Sequence, residues 1–162
     1  MNIFKLAMTT ACLLPLSVQA QELQYWGEAG GWDVMIDPSL GNGCLIQTTK
    51  NDGSVVRIGF DRNQGNAYVT AFNTAWEGIE EGETYPIAFD LDGQEYDGEA
   101  TGIYLNDVPG ADIAFSNSDF LFDLAQKYTM TLYNEHGEVM AIDLQGSYVG
   151  FEATVACQKE MG

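Results

Sequence analysis

Trp32, Val34 and Ile36 alternate with Asp33, Met35 and Asp37, and this period of two returns along most of the chain. Successive side chains on a strand point to opposite faces, so such a repeat writes a sheet with one apolar face. The connections are short. Gly41-Asn42-Gly43 leads into residues 44–49, Asn51-Asp52-Gly53 joins these to residues 55–60, and residues 61–66 turn into residues 67–72. Asp-Gly and Asn-Gly pairs supply the positive φ that tight turns need, so these four runs predict an antiparallel meander. The pattern breaks around Ala75-Trp76-Glu77-Gly78. It resumes at residues 84–91 and 94–105, and again at residues 128–133 and 138–144 around Asn134-Glu135-His136-Gly137.

From Pro109 onward the alternation gives way to helical signals. Ser116-Asn117-Ser118-Asp119 offers caps, and Phe120, Leu121, Leu124 and Ala125 follow helical spacing up to Lys127, whose charge suits a helix C-terminus. Residues 147–159 fit two periods. Val149, Phe151, Ala153, Val155 and Cys157 alternate as in a strand, whereas Ser147 as N-cap with Val149, Ala153 and Ala156 on one face suits a helix. Together these runs define an α+β class that is mainly antiparallel β. Roughly seven to nine strands are expected, curled as a sandwich or open barrel, with one or two short helices.

Residues 1–20 read as a signal peptide. Lys5 gives the positive start, residues 6–16 the apolar run, and Val18 and Ala20 the small residues before a cleavage site. A transmembrane helix needs about 18 or more apolar residues, more than this run offers. Cys12 faintly resembles a lipoprotein site, but Thr9 stands where Leu is usual and the apolar run continues past Cys12. The expectation is therefore a periplasmic or secreted protein, with residues 21–162 forming a single β-rich domain and no integral membrane segment.

The chain carries 24 acidic against 6 basic residues, a net charge of −18, and loss of Lys5 with the leader makes it more negative still. That charge argues against nucleic acid and anionic membranes, and it permits a basic partner protein or a small ligand, so the leading expectation is an exported non-catalytic envelope protein that binds one of these, such as a basic cell-wall-directed protein. Cys44 and Cys157 remain after cleavage, and an even, distant pair in an oxidising compartment predicts one disulfide.

Chemistry is sparse. The stretch "FDLDGQEYDGE" at 89–99 concentrates acids, but read as a calcium loop from Asp90 its Gly falls at the fourth position instead of the sixth. It reads instead as a hairpin turning at Asp92-Gly93. Asp97 and Glu99 share a strand face, the arrangement behind an alternative reading as a carboxylate-dependent glycan hydrolase. A further alternative is a structural envelope domain stabilised by divalent ions. Gly146-Ser147-Tyr148-Val149-Gly150 has the wrong spacing for a nucleophile elbow. His136, the single His, sits in a turn, and Walker or dinucleotide patterns are missing from the sequence. Hence neither catalytic residues nor metal ligands nor cofactors are assigned, and the aromatic candidate for an exposed binding contact is Trp26, in the Gly-rich "YWGEAGGW" near the mature N-terminus.

The ending Leu144-Gln145-Gly146-Ser147, with Cys157 ten residues after the Ser, resembles that of small uncharacterised exported proteobacterial proteins. Trp32 with Gly43-Cys44, and Trp76, Gly82 and Tyr85, match two further segments of those families. The resemblance implies a secreted β-rich domain closed by a C-terminal helix, with Gly150 and Phe151 departing from the usual small helix-favouring residues, and it carries no activity.

Overall fold

The computed structural model describes residues 22–117 and 119–162. The leader and Cys12 lie outside them. Ten strands form one antiparallel sheet: β1 (Gln24–Ala29), β2 (Trp32–Asp37), β3 (Gly43–Thr49), β4 (Val55–Asp61), β5 (Asn66–Phe72), β6 (Thr84–Leu91), β7 (Gln94–Leu105), β8 (Val108–Phe115), β9 (Thr129–Asn134) and β10 (Gly137–Asp143). Helix α1 (Phe120–Ala125) follows β8, and α2 (Ser147–Met161) follows β10. The spatial order is β1-β2-β3-β4-β5-β8-β7-β6-β9-β10. The expected meander is thus β2–β5, and the sheet is open, with β1 and β10 as its two edges.

Alternation sorts the side chains as the sequence anticipates. Trp32, Val34, Ile36, Ile46, Val56, Ile58, Val69, Ile113, Phe89, Leu132 and Ile142 share the inner face and form one continuous core with the helices. Helix α2 covers β1–β3 and touches α1. Its link to the sheet is covalent: Cys44 on β3 is bonded to Cys157 on α2, with Cα atoms 6.2 Å apart. Such a bond fits an oxidising, extracytoplasmic compartment. No helix among the described residues is long and apolar enough to cross a membrane.

The far end of the sheet curls back toward its start. The Trp32 indole N–H donates to the Gln145 carbonyl at 3.1 Å, and Lys50 reaches the Ala141 carbonyl. Where the ends meet, Gly30 and Gly146 lie back to back, both at positive φ (65° and 80°). A Cβ on Gly146 would come within 1.9 Å of the Gly30 oxygen.

Three expectations are corrected. The shift seen at Pro109 hid a strand, β8, which sits between β5 and β7. Pro109 is tolerated because pairing with β5 begins only at Gly110, so no ladder hydrogen bond to β5 needs the missing N–H. Asn106 and Asp107, both at positive φ, make the tight turn before it. With β8 and β1 the sheet reaches ten strands, above the expected seven to nine. Ser147 does not cap α2; Gly146 holds that position in the left-handed conformation, and Ser147 is the first helical residue, its Oγ buried without a partner. The buried face of α2 is Ser147, Gly150, Phe151, Thr154 and Cys157, whereas Val149 and Val155 point outward.

Candidate functional site

The outer face of the sheet, away from the helices, carries a row of polar residues in register across the strands. Gln47 pairs with Arg57, Arg57 with Thr70, Thr70 with Asp112, and Asp112 with Thr101. Around this row opens a cleft of about 430 Å³, lined also by Asp37, Asp61, Tyr68, Phe72 and Ile103.

Two opposite charges stand in the cleft without meeting. The Arg57 Nε–H donates to Gln47 Oε1 at 2.8 Å, and its guanidinium lies over the Phe72 ring, 5.5 Å from the centroid. Asp112 instead accepts from the Thr70 hydroxyl. One strand lies between them, so their backbones are separated by roughly 10 Å, two strand spacings. Among the described residues Arg57 forms no ion pair. Burial pulls the guanidinium's pKa below its ordinary value, with Tyr68 and Asp37 opposing. Burial likewise pushes the Asp112 carboxyl up, against the Thr70 hydrogen bond and with help from Asp61. A desolvated charge held from its opposite by neutral partners is costly to folding, and such costs gather at binding sites.

Tyr68 lines the same cleft and is only 6% exposed. Its ring passes over Gly59, its cross-strand partner, where an added Cβ would stand 2.9 Å from the Tyr68 hydroxyl and 2.5 Å from Leu45 Cβ. Burial raises the phenol's pKa far above the ordinary range, and Asp37 reinforces this while Arg57 opposes it. The hydroxyl makes no hydrogen bond among the described residues. Tyr68→Phe is therefore expected to leave the melting temperature unchanged or raise it, whereas losing a satisfied buried hydroxyl costs about 1 kcal/mol. A clear fall in thermal melting would mean the hydroxyl has a structural partner.

Asp112 gives a pH-dependent prediction. Its folded pKa is raised above the ordinary 3.8, so the folded state resists its ionisation. The penalty is absent below the unfolded pKa and grows as pH rises from there through the folded pKa. Asp112→Asn, which can still accept from Thr70, is expected to be more stable than the parent at neutral pH and equal to it near pH 3, an acidity below the carboxylate's ordinary range. Urea melts at the two pH values check this; a difference that persists unchanged in acid would assign the effect to packing.

A second recess, about 250 Å³ and mostly apolar, opens on the inner face under the β5–β6 connection. Trp76 covers it, with Tyr85, Ile87, Ile113, Leu132 and Val139 among its walls. The connection is strapped down where the Tyr104 hydroxyl donates to the Ile79 carbonyl at 2.7 Å and Tyr85 Oη accepts from the Glu80 N–H at 2.8 Å.

The residues singled out by sequence lie apart from the cleft. Trp26 sits on edge strand β1, at a bulge, but it is half-buried against the core instead of standing free, and its indole N–H donates to Glu160 Oε2 at 2.9 Å. Asp97 and Glu99 are exposed on the outer face of β7, beyond Thr101. Asp92 and Gly93 form the hairpin turn at φ 52° and 91°, and the Asp92 carboxylate accepts from the N–H groups of Tyr128 and Thr129, both at 3.0 Å. His136 is exposed in the β9–β10 turn beside Glu135. Among the described residues no group of three or more His, Cys, Asp or Glu side chains is poised to hold a metal ion. Sequence reasoning missed Arg57, Tyr68 and Asp112. The available signal was Val55-Val56-Arg57-Ile58, a lone basic residue inside an apolar strand.

Fold and cleft together define a class: an open, curled antiparallel sheet with a disulfide-tied C-terminal helix and a polar cleft on its outer face. The crystal structure of invasion associated protein b from Bartonella henselae is similar, with a TM-score of 0.56 over 86% of this chain and 99% of that chain at 12% identity. At that identity the likeness is one of fold alone. No protein-family model matches the chain, and no curated protein does.

Proposed function

We propose that this is an exported, non-catalytic binding protein of the cell envelope, and that its ligand sits in the outer cleft. The observation that carries this reading is the half-buried Arg57, held by Gln47 and Phe72 out of reach of Asp112. An arginine and an aspartate free to pair would close the cleft; held apart, they stay available to a third party. The cleft also falls within the roughly 300–1,000 Å³ typical of small-ligand sites. The strongly acidic chain favours ligands or partners of basic character through long-range steering. Export rests on residues 1–20, and N-terminal sequencing of the protein recovered from the periplasm is expected to begin at Gln21.

The test compares the parent with an Arg57→Gln/Asp112→Asn double variant in a thermal-shift screen of amino acids, sugars and organic acids at low salt. At least one compound is expected to raise the melting temperature of the parent and not of the variant, since binding to the folded state stabilises by mass action. Equal shifts in both proteins for every compound would remove the cleft from the function.

A further inference from the structure

Three carboxylates and one guanidinium share this cleft, and their hydrogen bonds are lopsided. Asp112 accepts from Thr70 through Oδ1, Asp61 from the N–H groups of Asn63 and Gln64 through Oδ1, and Asp37 from Ser39 through Oδ1. In each the other oxygen, Oδ2, makes no hydrogen bond within the protein among the described residues. Arg57 spends Nε on Gln47, leaving both terminal nitrogens, above the Phe72 ring, as a fork for a carboxylate. Tyr68, itself 6% exposed, adds a hydroxyl with no hydrogen-bond partner among the described residues. Stacked sugars find no platform here, because Phe72 is 3% exposed and lies beneath Arg57, and Tyr68 is 6% exposed.

Resting on the reading of this cleft as the binding site, we infer that its ligand is an amino acid or short peptide with a free carboxylate and an additional cationic side chain. The carboxylate pairs with Arg57, and the ammonium groups take the free oxygens of Asp112, Asp61 and Asp37. Three acids against one base make a purely anionic ligand unfavourable and reward a net positive one. The backbone separation of Arg57 and Asp112, roughly 10 Å, accommodates a molecule of this size with a hydrogen bond at each end.

Calorimetric titration of the oxidised protein at low salt, with L-lysine, L-lysinamide, L-alanine and L-glutamate, tests the inference. Lysine is expected to bind tightest, lysinamide about tenfold more weakly for want of the carboxylate, and glutamate not at all. Arg57→Gln is expected to bring lysine down to the level of lysinamide while leaving lysinamide unchanged, a selectivity that general unfolding cannot produce. Asp112→Asn, which preserves shape, is expected to weaken both. Lysinamide binding as well as lysine, glutamate binding as well as lysine, or no heat from any of the four at millimolar concentration would overturn the inference. If a ligand of another class binds the parent and is lost with Arg57→Gln/Asp112→Asn, the inference fails and the cleft reading stands. If those variants keep every ligand the parent binds, both fail.

Discussion

Removing the Cys44–Cys157 bond is expected to lower stability by about 4–5 kcal/mol at most, seen as a large drop in urea midpoint on reduction or in the Cys44→Ala/Cys157→Ala variant. The magnitude follows from the span of the crosslink, 113 residues, whose loss returns much entropy to the unfolded chain. The helix it anchors is otherwise held by a few polar ties, from the Trp26 indole to Glu160 and from the Cys44 N–H to Gln158 Oε1, and by a thin apolar face. Its buried stripe of Ser147, Gly150, Phe151, Thr154 and Cys157 contains a single large apolar side chain, and burying one Phe contributes roughly 1.5–3 kcal/mol. The staple therefore outweighs the apolar face of α2. An unchanged midpoint in the double variant would mean that packing against β1–β3 alone suffices.

Gly146→Ala is expected to cost about 3 kcal/mol, combining left-handed strain of about 1–2 kcal/mol with displacement of a tightly packed backbone. The new methyl would strike the Gly30 carbonyl, and Gly30 cannot retreat freely because its own Cβ position is 2.2 Å from the Gly146 oxygen. A fall in melting temperature of roughly 10 °C is anticipated for a chain of this size. The indole bond from Trp32 to Gln145 should weaken with it, shifting tryptophan fluorescence. A variant that melts like the parent would show that the β1–β2 turn yields without cost.

Much of the architecture was legible because alternation and turn chemistry are local. Asp92-Gly93 turned as its residues demand, and Cys44 and Cys157 were the pair that compartment and count implied. The failures have physical causes. Pro109 and Gly110 look like strand breakers, and only the stagger of β8 against β5 makes them harmless. In α2, outward Val149 and Val155 mimic a buried strand face, because the true contact face, apart from Phe151, is made of small residues that let the helix sit close to the sheet. The cleft was hidden for a deeper reason. Arg57, Thr70 and Asp112 lie on three strands, the last reached only after β6 and β7, and cross-strand register is not written in any one segment.

Helix α2 follows all ten strands in chain order, yet it shelters β1–β3, the earliest of them. Trp32, Ile36 and Ile46 therefore lie on strands that stay uncovered until residues 147–161 have docked. Completion is set by the tail: a nascent or truncated chain lacking it keeps a sticky apolar surface, the kind of surface that chaperones shield and proteases find.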